Sequence, residues 1–131
     1  MFEQNLIAAW GGVLLGMLSG AVVGLWFHSD DFLGGYRAWP RRLVRLGHIS
    51  FFGLAIVNFA FFFTTQWLVV NGPVEASVLL FSSWALVAGA IAMPTVCFLA
   101  AWQKRMRHLF FIPVSLLVAG VISLNVGGLL R

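Results

Sequence analysis

The sequence predicts an all-α fold: an integral membrane four-helix bundle with up-down topology and both termini on the non-cytoplasmic side. Three observations carry that reading. The chain of 131 residues is 61% hydrophobic and 9% charged, against about 45–50% and about 25% in a soluble domain. Its apolar surface therefore exceeds what one core of this size can hide, and a bilayer must serve as solvent. Four apolar stretches are each long enough for a hydrocarbon core of roughly 30 Å, which takes about 20 helical residues. The basic residues, finally, gather in two short links between those stretches, where positive flanks mark the cytoplasmic side. A net charge of +4 distributed in this way belongs to a membrane surface and not to nucleic acid.

The first stretch runs from about Leu6 to Phe27. Within it Gly12, Gly16, Gly20 and Gly24 recur every four residues, with Ala8 one step before the row and His28 one step after. In a soluble helix each of these glycines would cost roughly 0.8–1 kcal/mol relative to alanine. In lipid, a row of small residues instead lets another backbone approach closely. A strict four-residue row drifts by about 40° per step around the helix, so it wraps. We expect it to press helix one onto its own bundle, with self-association as the alternative. Met1-Phe2-Glu3-Gln4-Asn5 has no basic stretch, so segment one is read as mature structure and not as a cleaved leader.

The other helices are expected at about Leu43–Val70, Ser77–Ala101 and Leu109–Leu130. Trp10, Trp26, Trp67 and Trp102 fall toward segment ends, as interfacial indoles do; Trp84 lies deeper and is expected to pack against a neighbour. Gly34-Gly35 interrupts the first link, and Pro40 suits the first turn of helix two. Asn71-Gly72-Pro73 signals a tight turn, and Trp102 to His108 a second short connection, so helices two, three and four should be antiparallel neighbours. Arg37, Arg41, Arg42 and Arg45 in one link, with Lys104, Arg105 and Arg107 in the other, place seven of the eight basic residues on one side. Arg41, Arg42 and Arg45 are expected at headgroup depth with their stems snorkelling outward. Asp30 and Asp31 should pair with nearby arginines. No repeat divides the chain, so residues 1–131 read as one transmembrane domain.

Polar residues inside a span are the first places to look for function, because each needs a partner in lipid. His28, His48 and His108, together with the single cysteine Cys97 and Met93, fall at one depth near the basic side. Two site readings follow. His48 and His108, with His28 as a further candidate, would ligate haem b as neutral imidazoles; alternatively His, Cys97 and Met93 would form a soft transition-metal site. The plainer reading makes His28 and His108 interfacial residues and Cys97 a small buried hydrophobe. Asn58 and Thr65, seven apart on one face, and Asn125 in helix four are expected to make interhelical hydrogen bonds. Pro94 and Pro113 suggest matched kinks. The span interiors hold no Asp, Glu, Lys or Arg, which argues against a proton relay.

The expected function is that of a non-catalytic subunit or scaffold of a larger membrane complex, partnered by the lipid bilayer and by other membrane subunits or further copies of itself. The expected location is the bacterial cytoplasmic (inner) membrane. A haem-binding redox protein and a carrier for a small neutral or soft-metal solute are the alternatives.

Overall fold

The computed structural model describes residues 2–71 and 75–130. It is all-helical, with no strand among the described residues. Helix α1 covers Glu3–Phe27, α2 Trp39–Asn71, α3 Ala76–Trp102 and α4 Phe111–Leu124. A 3-10 segment over Lys104–Phe110 leads into α4, and a π turn over Asn125–Leu129 closes it. Four helices are long and apolar enough to cross a membrane when the last is taken as Lys104–Leu129. The turn expected at Asn71-Gly72-Pro73 lies largely outside the described residues.

The bundle is assembled in sequence order: α1 packs on α2, α2 on α3 and α3 on α4, with a smaller contact between α1 and α3. Its large buried side chains, Phe2, Phe61, Leu68, Leu79 and Leu86, join α1, α2 and α3, and Leu117 and Leu124 of α4 pack against them. Phe2 meets Phe61 edge to face at 5.6 Å. Many of the other large apolar side chains point outward; Trp102 is 91% and Val70 83% exposed. Trp84, expected to be packed away, is 57% exposed.

The first link explains why α2 begins earlier than hydropathy suggests. Gly34 and Gly35 take φ of 83° and 91°, a region glycine enters freely, and they turn the chain after α1. Pro40 then sits in the first turn of α2, where its missing N–H costs nothing. The helix therefore starts at Trp39, one turn before Leu43, and carries its arginines as helical residues. Pro113 occupies the first turn of α4 in the same way, so the prolines are not a matched pair: Pro94 alone lies in a helix interior.

Candidate functional site

The glycine row resolves into a set of seats for α2. A Cβ on Gly12 would lie 3.0 Å from the Phe51 carbonyl oxygen and 3.2 Å from Ala55 Cβ. On Gly16 it would meet the Phe52 ring at 2.7 Å, and on Gly20 the His48 ring at 2.8 Å. The row thus faces its own bundle over three of its steps. Gly24 meets nothing within 4 Å, and His28 is exposed. The buried face of α1 in fact runs through Asn5, Ala9 and Gly16, with Gly12 between. Steps of four and three residues hold one face of a 3.6-residue helix, whereas repeated steps of four rotate away from it. Gly47, Gly89, Gly120 and Gly127 provide further seats: Gly47 for Cys97 and Phe98, Gly89 for Leu117, Gly120 for Leu86 and Gly127 for Val78. The sequence reading passed over these four, although the seven-residue spacing of Gly120 and Gly127 was there to find.

Two steps beyond Gly12 along that face, past Ala9, lies a buried amide network. Gln4 Nε2 donates to Ser83 Oγ at 2.8 Å, and Ser83 Oγ donates to Asn5 Oδ1. Asn5 Nδ2 donates to Asn58 Oδ1 at 2.8 Å and to the Ser83 carbonyl at 3.4 Å. Asn58 Nδ2 continues to the Leu54 carbonyl at 2.9 Å. Asn5, Asn58 and Ser83 are all fully buried, so α1, α2 and α3 are joined by one chain of donors and acceptors. Such chains polarise and strengthen one another in a low dielectric. Of Asn58, Thr65 and Asn125, each expected to bond between helices, Asn58 alone does so. Thr65 donates to Phe62 in its own helix and Asn125 to Val121 in its own, because each turns its donor back onto a carbonyl one turn earlier. Gln4, Asn5 and Ser83 were missed.

The residues expected to share a site are given separate settings. His48 is half-buried against α1, with Nδ1 3.0 Å from Ser19 Oγ and its ring edge-on to Phe52 at 5.5 Å. His108 is exposed in the Lys104–Phe110 segment, which packs on α3 and α4. Cys97 is buried where α3 meets Gly47 of α2, and Met93 is half-buried one turn earlier. Among the described residues, no group of three His, Cys, Asp or Glu side chains is placed to hold a metal ion. These residues face different neighbours: His48 turns to α1, Cys97 to Gly47 of α2, and His108 is exposed.

Arg41 overturns the expectation of an outward-snorkelling stem. It is 5% exposed and folds back onto the end of α1. Its Nη2 donates to the Phe27 carbonyl at 2.7 Å, and its Nη1 to the carbonyls of Ser29 at 3.0 Å and Asp30 at 3.3 Å. The guanidinium also lies 4.6 Å from the Phe27 ring centroid. A helix C-terminus leaves carbonyls without intrahelical donors and carries partial negative charge, and a planar fork of five N–H donors suits both. The Asp30 contact goes to the backbone, so the expected carboxylate pair is not formed by this arginine. Arg41→Gln is expected to lower stability by about 1–2 kcal/mol and to fray α1 from Phe27 backward. Hydrogen exchange of the Leu25–Phe27 amides checks it; protection equal to the parent protein would refute the clamp.

Between α1 and α3, over α2, a groove of about 510 Å³ opens to the surface, lined in part by Ala8, Gly11, Gly12, Ala55, Ala90 and Pro94. Gly11 meets nothing within 4 Å. No known protein family, characterised protein or solved structure matches the chain, so its function has to be argued from this geometry.

Proposed function

We propose that this protein is a multi-pass bundle of the bacterial cytoplasmic membrane that serves as a non-catalytic subunit or scaffold of a larger membrane complex. In this reading the helices alternate direction, the two basic links face the cytoplasm and both termini lie on the far side. The observation that carries it is the use to which the polar groups are put. The side chains from which a membrane site would be built, Gln4, Asn5, Ser19, His48, Asn58 and Ser83, bind helices to one another. A bundle cross-tied in this way is suited to holding a fixed shape against neighbouring subunits. Its partners are the lipid bilayer and other membrane proteins or further copies of the chain.

The test is assembly. Extracted in mild detergent from its native membrane, the protein is expected to migrate on native gels as a complex larger than one chain. Gly11→Leu alters the groove without touching a bundle contact and is expected to leave the thermal unfolding of the isolated chain unchanged while weakening the complex. Migration as a single chain in parent and variant alike would sink the scaffold reading. An absorption spectrum of the same preparation decides the haem alternative: a Soret band that disappears in His48→Ala would replace the proposal with a redox role.

A further inference from the structure

The two basic links adjoin. Trp39 Nε1, at the start of α2, donates to the Ala100 carbonyl near the end of α3 at 3.0 Å, and Lys104 Nζ stands 5.9 Å from the Trp39 ring centroid. Arg41 is occupied by backbone carbonyls. Its neighbours are not: Arg42 is exposed, and Arg45 is half-buried with its guanidinium stacked 4.3 Å from the Tyr36 ring centroid. Among the described residues, neither side chain has a hydrogen bond or a carboxylate partner. This end therefore carries a net positive charge, seven Lys and Arg against Asp30 and Asp31, and neither carboxylate pairs with Arg42 or Arg45.

Arg42 and Arg45 border a recess of about 400 Å³ on α2, completed by Trp39, Leu43, Leu46 and Ile49. Its character changes along the helix. An indole and two guanidinium groups come first; Leu46 and Ile49, 47% and 62% exposed, follow within two turns. Residues 42, 46 and 49 recur at the spacing of one helix face, so the charges stand directly above an apolar stripe. That vertical order is the order of a phospholipid. Guanidinium forks make strong, paired hydrogen bonds to phosphate, an indole prefers the headgroup level of the interface, and the aliphatic stripe continues into the hydrocarbon. A zwitterionic head brings a cation to the same rim and is repelled by it, so the charge selects an anionic lipid.

We propose that the Trp39–Ile49 face of α2 binds one anionic phospholipid, its phosphate held by Arg42 and Arg45 beside Lys104 and one acyl chain lying over Leu46 and Ile49. This rests on the chain spanning a membrane and not on the scaffold role. Diffuse attraction of anionic lipid would spread over every basic residue at this end; the recess concentrates it at two.

Native mass spectrometry of the full chain in detergent tests the site, with phosphatidylglycerol, phosphatidylcholine and inorganic phosphate offered in separate arms. One phosphatidylglycerol is expected to stay bound per chain, at least about tenfold more than phosphatidylcholine. The double variant Arg42→Gln/Arg45→Gln is expected to lose it. Arg105→Gln/Arg107→Gln removes the same charge from the same end and is expected to keep it. Ile49→Asn, an exposed position, is expected to weaken retention with both arginines present, which shows that the acyl chain is part of the ligand. Equal retention of the two lipids overturns the proposal, as does equal loss in both double variants or displacement of the lipid by inorganic phosphate. A chain that stays dispersed without detergent would overturn the membrane reading itself, a result distinct from lost lipid preference.

Discussion

Asn5→Leu is expected to destabilise the bundle by about 2–3 kcal/mol, among the largest effects of any polar substitution in the chain. The side chain is fully buried and both halves of its amide are engaged: Nδ2 with Asn58 Oδ1 at 2.8 Å, Oδ1 with the Ser83 hydroxyl. Its removal leaves an amide oxygen and a hydroxyl without those partners among apolar neighbours. Each such orphan costs about 1–3 kcal/mol in a protein interior. Hydrogen bonds in lipid measure lower, about 0.6 kcal/mol on average and at most about 1.7, because helices separated in the membrane still find other partners. Two lost bonds at the lipid values come to about 1.2–3.4 kcal/mol, and the stated range lies within that. Asn58→Leu should cost a similar amount. The double variant should cost clearly less than the sum, since residues in one network do not act independently. Asn125→Leu, half-buried but with its hydrogen bond exposed and made within its own helix, should fall within about 0.5 kcal/mol of the parent. Thermal unfolding in detergent, followed by the loss of helical circular dichroism, measures all four. Strict additivity of Asn5→Leu and Asn58→Leu would mean that the network does not couple α1 to α2.

Asn5 also shows what a sequence does and does not carry for a membrane chain. The four apolar segments are legible because hydropathy is local and sums over neighbours. The same logic trims Glu3-Gln4-Asn5 from the first span as a polar flank, yet α1 begins at Glu3. What draws Asn5 inside is Ser83, 78 residues away, and no local pattern encodes that pairing. The histidines illustrate a second limit. Depth is inferred from distance along each helix, which is why the sequence suggests a common level for His48, Cys97 and His108. Direction around the helix matters as much, and it depends on which helices are neighbours. His48 belongs to the face that continues through Phe52, Ala55 and Asn58 toward α1, while Cys97 points to Gly47. Arg41 illustrates a third: its stem looks like a snorkel until the end of α1 is placed beside it, when unpaired carbonyls become stronger partners than headgroup water.

The glycine row should divide sharply under alanine substitution, although the four residues look equivalent in the sequence. Gly16→Ala is expected to cost about 1–3 kcal/mol, the range for forcing an extra carbon into a filled contact, because its Cβ would stand 2.7 Å from the Phe52 ring. Gly16→Leu should separate α1 from α2 altogether. Gly12→Ala has a smaller overlap, 3.0 Å, but against the Phe51 carbonyl oxygen. A backbone atom cannot swing aside as a ring can, so the helices themselves must part and the cost should approach that of Gly16→Ala. Gly20→Ala would displace the His48 ring from 2.8 Å and disturb its contact with Ser19 Oγ. Gly24→Ala meets nothing within 4 Å, and alanine is the better helix former by roughly 0.8–1 kcal/mol in water, so this variant should be as stable as the parent or more so. The order follows from helix geometry: each four-residue step turns the row about 40° away from α2, and by the fourth glycine the contact is gone. Unfolding of the four alanine variants in one detergent measures the order directly. Equal costs at Gly16 and Gly24 would mean that a second partner covers the far end of the row, and would turn the same residues from an internal seam into an interface.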